Sequence, residues 1–92
     1  MKNKRHIPVI SFNELELKQK KPQVYKSLVE GIAEAIKENT NEVKLCEVKY
    51  ANTYLTVHKD NWSGSLAKAM DFYIDNEQYE VCALIKELTS KV

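Results

Sequence analysis

Four residues of this 92-residue chain could carry thiol or imidazole chemistry, namely Cys46, Cys82, His6 and His58. A catalytic thiol needs a base beside it, and Cys46 with His58 is the only pair that local structure could bring together. That pair forms only if the connecting loop has an odd number of residues, which the apolar pattern of the flanking strands disfavours. A zinc site would need all four residues to converge, and no Cys-x-x-Cys or His-x-x-x-His spacing is present. We therefore predict two buried, unpaired cysteines, and neither a catalytic thiol nor a metal site.

Other motifs that could support catalysis are equally sparse. Asp71 and Asp75 stand four residues apart, where two carboxylates on one helix repel each other slightly, and we expect both to be solvated. Gly31 and Gly64 are the only glycines, so no glycine-rich loop is available to cradle a phosphate. We predict that the protein is not an enzyme and holds no cofactor.

The segment that must position Cys46 is a predicted β-hairpin over residues 42–59. Two runs rich in β-branched and aromatic residues flank Ala51-Asn52, and Asn tolerates the left-handed backbone of a tight turn. An even loop of two or four residues gives one apolar face and one mostly polar face, with Leu45 as the exception. An odd loop mixes both faces, so we predict the even loop. The apolar face would carry Cys46, Val48, Tyr50, Leu55 and Val57, and the polar face Glu47, Lys49, Tyr54, Thr56 and His58.

One long helix is predicted before the hairpin. It begins at Pro22, whose missing amide costs nothing in the first turn of a helix, and it ends near Asn39. Upstream, Ser11 and Glu14 have the spacing of a capping box, and a short helical turn can follow over residues 14–18. Apolar residues recur at helical spacing along the long helix and should form its buried stripe: Tyr25, Leu28, Val29, Ile32 and Ile36.

Two shorter helices are predicted after the hairpin. The first covers residues 66–73 and takes Ser63 or Ser65 as its N-cap. Asn76 then caps a last helix over about residues 77–91, because Asp75-Asn76 reads as a break in the helical pattern. These helices form a C-terminal pair that closes the core.

The predicted fold class is α+β, with a long helix plus a two-stranded antiparallel hairpin, closed by the C-terminal helical pair. Residues 7–10 can add a third strand, although Pro8 bars that segment from a central position in the sheet. We predict a flexible basic tail over residues 1–6 and a single domain over residues 7–92. No apolar run approaches the roughly 18 residues of a membrane span, so we expect no membrane contact. We also expect a cytoplasmic setting and a bacterial or phage origin.

Charge is unevenly spread along the chain, although the net charge is only +1. Residues 1–21 hold six basic residues against two acidic ones, whereas the remainder of the chain carries an acidic excess. A basic segment on an acidic body is one way to contact nucleic acid. This hypothesis competes with a solvated terminus, and it is weakened by the single Arg in the chain. Its candidate residues are Lys2, Lys4, Arg5, Lys18, Lys20 and Lys21.

The last helix carries a partial family resemblance. Tyr79-Glu80, Cys82-Ala83 and Lys86-Glu87 follow the order of an aromatic–acid, a small–small and a basic–acid pair. In this respect residues 66–92 resemble the UVR motif, the short helical hairpin of excision-repair proteins and of some Clp-chaperone adaptors. The resemblance implies a helical hairpin that docks another protein. The spacing departs from the family pattern after Glu87, because the next apolar residue is Leu88.

The preferred functional prediction is a small, non-enzymatic protein-interaction module or adaptor that can also associate with itself. Its partner-binding surface is predicted around Trp62, Tyr73 and Tyr79, with Lys86 nearby, because aromatic residues dominate binding hot spots. The single Trp lies in the polar turn DNWSG and not within an apolar stripe. The alternative is that Trp62 caps the core, since large aromatic side chains are mostly buried.

Overall fold

A computed structural model describes residues 7–11 and 13–92. The α+β fold class is confirmed: a long helix precedes a hairpin, and two helices follow it. The flexible tail predicted over residues 1–6 lies outside the described residues. The elements are β1 (Val9–Ile10), α1 (Glu14–Glu38), β2 (Glu42–Val48), β3 (Thr53–His58), a 3₁₀ turn (Lys59–Asn61), α2 (Trp62–Asp75) and α3 (Tyr79–Lys91).

Helix α1 is longer than predicted, because it runs unbroken through Pro22 instead of starting there. Its N-cap is Asn13, whose side chain accepts a 2.8 Å hydrogen bond from the amide of Glu16. The predicted capping box of Ser11 and Glu14 is wrong, since the Ser11 hydroxyl donates to the carboxylate of Glu16 instead. These contacts hold the first turns in place and help offset the amide that proline cannot donate. The predicted end is confirmed by Asn39, a left-handed C-cap.

The three strands form a sheet in the order β1-β2-β3. The predicted third strand is present but short, and it pairs in parallel with β2 at one edge. The even loop is confirmed, because Val48 pairs with Thr53 and four residues connect them. Tyr50 was predicted on the apolar face, yet it lies in this turn with a positive φ and is almost fully exposed.

A β-bulge at Leu45 explains the one residue that broke the predicted alternation. Lys44 pairs with Thr56 and Cys46 pairs with Leu55, so Leu45 is the extra residue of β2. The extra residue lets Leu45 and Cys46 line the same apolar side of the sheet. The buried hydroxyl of Ser27 on α1 donates a 2.7 Å hydrogen bond to the carbonyl of Leu45, which ties the bulge to the helix.

The core lies between the inner face of the sheet and the three helices. Helix α2 begins at Trp62, before the predicted caps Ser63 and Ser65, and its cap residue makes no side-chain hydrogen bond. Helix α3 begins at Tyr79, because Asn76 ends α2 instead of starting the next helix. The buried apolar cluster consists of Leu28, Val29, Ile32, Ala35, Val43, Trp62, Leu66, Ala69, Tyr73, Ile85 and Leu88.

Candidate binding groove

The predicted partner surface around Trp62 is not assembled in the structure. Trp62 is only 1% exposed and Tyr73 is also buried, whereas Tyr79 is 63% exposed and Lys86 lies on the surface. The correction follows from where α2 starts. With Trp62 as its first residue, the stripe at positions 62, 66, 69 and 73 has helical spacing and faces the core. The sequence contains this helical spacing, although the polar neighbours of Trp62 predict a turn at that position.

A different concave surface, which we call the groove, opens between α1, the sheet and α2. Its volume is about 310 Å³. The residues that line it are almost all apolar, and none of them belongs to the surface predicted from the sequence. They are Ile10, Leu17, Val24, Tyr25, Leu28, Leu45, Cys46, Leu55, Val57 and Ser65, with Lys21 and Lys68.

The groove exists because the helices leave part of the β3 inner face uncovered. Cys46 on β2 is fully buried, whereas its cross-strand neighbour Leu55 on β3 is 42% exposed. The bulge brings Leu45 onto the groove floor beside these two residues. On the α1 wall, Leu17 is 38% exposed. The groove therefore presents apolar area to solvent that a binding partner would bury.

Two lysines on facing helices line this apolar surface. Lys21 extends from α1, and its ammonium lies 5.9 Å from the ring centroids of Tyr25 and Phe72. Lys68 extends from α2 and lines both the groove and an adjoining polar depression that contains Asp71. Within the part of the chain that the structure describes, neither lysine forms an ion pair. The groove thus combines apolar walls with two positive charges.

Cys46 lies in the groove lining but lacks the features of a nucleophile. Burial raises the pKa of the Cys46 thiol, which favours the neutral form. His58 pairs with Glu42 across the hairpin, so the imidazole is not beside the thiol. Both cysteines are free, which confirms that they are unpaired. The predicted burial is confirmed for Cys46, while Cys82 is only partly buried.

We expect iodoacetamide to alkylate Cys82 well before Cys46 in the folded protein. Cys46 is fully buried and its raised pKa keeps it protonated, so it should react only when the chain unfolds. Raising the pH past the ordinary pKa of a thiol should favour unfolding, because Cys46 ionises more readily in the unfolded chain. Peptide mass spectrometry of a labelling time course reads both sites, with Cys82 as the internal control. Equal labelling rates in native buffer would contradict this assignment.

The lysines proposed for nucleic-acid binding do not form one patch where the structure describes them. Lys20 donates a 2.8 Å hydrogen bond to the carbonyl of Val9 and pairs with Glu16 at 3.3 Å. Lys18 and Lys21, three residues apart, share a side of α1 on which Lys20 does not lie, since successive helical residues are about 100° apart. The remaining candidates, Lys2, Lys4 and Arg5, lie outside the described residues. Binding of nucleic acid through this segment stays a prediction.

The described residues contain neither a group of metal ligands nor a membrane-spanning helix. Among residues 7–11 and 13–92, no three His, Cys, Asp or Glu residues are grouped so that they could hold a metal ion. None of the described helices is long and apolar enough to span a membrane. Comparison with protein-family models, curated proteins and solved structures found no match to this chain. The chain ends in the two helices α2 and α3, and the resemblance of this segment to the UVR motif stays a prediction.

Proposed function

We propose that this protein is a non-enzymatic interaction module that binds an apolar, acidic segment of a partner protein in the groove. The observation that carries the proposal is the open apolar groove with Lys21 and Lys68 beside it. Adaptor-like binding was the function preferred from the sequence, but the groove replaces the aromatic surface as the proposed site.

The apolar part of the proposed ligand follows from the exposed area of the groove. Leu17 and Leu55 remain substantially exposed in the free chain, and covering them contributes roughly 25 cal/mol for each Å² removed from water. The volume of about 310 Å³ lies at the low end of the range for ligand sites. It suits one or two anchoring side chains of a peptide segment better than a large cofactor.

The acidic part of the proposed ligand follows from the two lysines. Lys21 and Lys68 approach the groove from opposite helices, so a carboxylate bound at this end would face positive charge from both sides. Such complementarity mainly sets specificity and association rate, while the apolar contacts supply most of the affinity. A segment with leucine or phenylalanine next to aspartate or glutamate fits both features.

The character of the thiol in the groove supports binding over catalysis. A catalytic cysteine is activated by a neighbouring base or by a lowered pKa. Burial raises the pKa of Cys46, which lies opposite Leu55. Among the described residues that line the groove there is no histidine and no carboxylate. We therefore assign the Cys46 side chain to the groove floor as packing surface.

Selection of displayed peptides on the full chain tests this proposal. We expect enrichment of apolar peptides that contain Asp or Glu, and at least tenfold weaker binding of these peptides to Leu17→Glu. This substitution introduces a negative charge on the groove wall, at a side chain that is already 38% exposed. Leu15→Glu is the matched control, because Leu15 is 66% exposed on the same helix and does not line the groove.

Charge reversal at the groove separates electrostatic from apolar recognition. Lys68→Glu should weaken binding of the acidic peptides, whereas Lys86→Glu should not, since Lys86 is exposed on α3 and no residue of α3 lines the groove. Equal binding of the selected peptides to wild type, Leu17→Glu and Lys68→Glu would contradict the proposed site. Failure to enrich any peptide class would contradict the proposed function.

A further inference from the structure

The outer edge of β3 offers unpaired main-chain groups. Within residues 7–11 and 13–92, β3 pairs only with β2, so its other side is open. The amide of Lys59 donates a 2.7 Å hydrogen bond to the carbonyl of Asn41. This bond shows that the odd-numbered residues at this end of β3 direct their main-chain groups toward β2. By alternation, the amides and carbonyls of residues 54, 56 and 58 point away from β2.

This edge lacks the devices that usually prevent strands from pairing. The six residues Thr53–His58 contain no proline and no lysine, and the bulge of the hairpin lies on β2. Every residue of β3 except Val57 is exposed. An open strand of this composition is a template for another strand.

We propose that β3 pairs antiparallel with β3 of a second copy of this chain, about a two-fold axis at Thr56. The axis places Thr56 opposite the partner's Thr56 and joins two three-stranded sheets into one. Residues 54, 56 and 58 then form hydrogen-bonded pairs across the axis, because their main-chain groups point outward on both strands. This interaction uses the outer edge of β3, whereas a partner segment binds in the groove, and Leu55 and Val57 of β3 belong to both surfaces.

The side chains of β3 are self-complementary in this register. On the inner face, Leu55 lies opposite the partner's Val57, so the dimer covers a leucine that is 42% exposed in the single chain. On the outer face, Tyr54 lies opposite the partner's His58, and the two threonines meet at the axis. Apolar, aromatic and Thr–Thr cross-strand pairs are the combinations that stabilise antiparallel sheets.

Self-complementarity favours a second copy over an unrelated strand. The residues on the two sides of Thr56 match in chemical class. Leu55 and Val57, one position away, are both apolar, and Tyr54 and His58, two positions away, both carry aromatic rings. An isologous interface requires this pattern, because residue i contacts residue j and j contacts i. No net charge accumulates along the paired strands when the histidine is neutral.

Sedimentation equilibrium of the full chain over a range of concentrations tests the proposal. We expect the average mass to rise with concentration from 10.7 kDa towards twice that value. Thr56→Lys places two ammonium groups opposite each other at the axis and should weaken association at least tenfold. Thr40→Lys is the matched control at an exposed threonine outside the strands, and it should associate like wild type. Far-UV circular dichroism confirms that each variant folds.

Disulfide trapping tests the register itself. Hydrogen-bonded antiparallel neighbours have Cα atoms about 5.5 Å apart, within the range that a disulfide spans. Thr56→Cys should therefore give a covalent dimer under mild oxidation, while Thr40→Cys and wild type report the background. A mass of one chain at all concentrations would overturn the proposal. So would unchanged association of Thr56→Lys, or equal cross-linking of the two cysteine variants.

Discussion

Trp62→Ala should lower the free energy of unfolding by about 3–5 kcal/mol, the range for truncating a buried Trp. The indole is 1% exposed, and its Nε1 donates a 3.0 Å hydrogen bond to the carbonyl of Val57. Truncation removes the apolar contacts, opens a cavity and leaves that carbonyl with one donor fewer. Folded proteins are stable by only about 5–15 kcal/mol, so this single change could leave the domain partly unfolded at room temperature.

Urea denaturation followed by far-UV circular dichroism measures this effect. Tyr79→Ala is the control, because Tyr79 is 63% exposed and truncation should cost much less. Trp62→Phe retains most of the apolar volume while removing the indole N–H, so its cost should fall between those of the other two variants. A loss of less than about 1 kcal/mol for Trp62→Ala would mean that the indole does not belong to the core.

Ser27→Ala should lower the free energy of unfolding by about 1–3 kcal/mol, because it leaves a carbonyl short of a donor. The Ser27 hydroxyl is buried and donates a 2.7 Å hydrogen bond to the carbonyl of Leu45. Leu45 is the bulge residue and part of the groove floor. The same substitution should therefore also weaken peptide binding in the groove.

The same denaturation experiment and a peptide titration check both effects of Ser27→Ala. Ser63→Ala on α2 is a matched control, since Ser63 is exposed and away from the groove. Unchanged stability together with unchanged affinity would show that the hydrogen bond does not hold the bulge in place. Such a result would show that Ser27 contributes neither to the stability of the fold nor to the shape of the groove.

Much of the fold followed from periodicity in the sequence. The even hairpin loop was predictable because only that register separates Cys46, Leu55 and Val57 from the polar residues. Helical spacing in the same way predicted the burial of Leu28, Val29 and Ile32 on α1, while the other two predicted stripe residues are half-buried against the core. Leu45 also carried information, because a residue that breaks a clean alternation is the signature of a bulge.

Other features depended on contacts that a linear pattern does not contain. Pro22 indicated a helix start, but the cap at Asn13 and the tether from Lys20 to Val9 continue the helix through it. The polar neighbours of Trp62 predict a turn, yet its place in the core depends on α2 starting at Trp62, before the predicted caps Ser63 and Ser65. Helix boundaries of this kind shift by one or two residues without any change in composition.

The groove could not be predicted because it is a gap between distant elements. Leu17, Leu55 and Lys68 come from α1, β3 and α2, and each alone reads as an ordinary surface residue. Only the packing of α1 over β2 leaves the inner face of β3 open beside α2. Exposed leucines indicate a binding site only where several such residues line one concave surface.

The most direct test of the proposed function is a titration of the ¹⁵N-labelled full chain with an acidic, apolar peptide, followed by amide chemical shifts. A groove-binding peptide should shift the amides of Leu17, Leu45 and Ser65 as one saturable set. These residues come from the three elements that enclose the groove. Amides of Tyr79 and Lys86 should remain in place. Largest shifts at Tyr79 and Lys86, with the groove amides unmoved, would contradict the account.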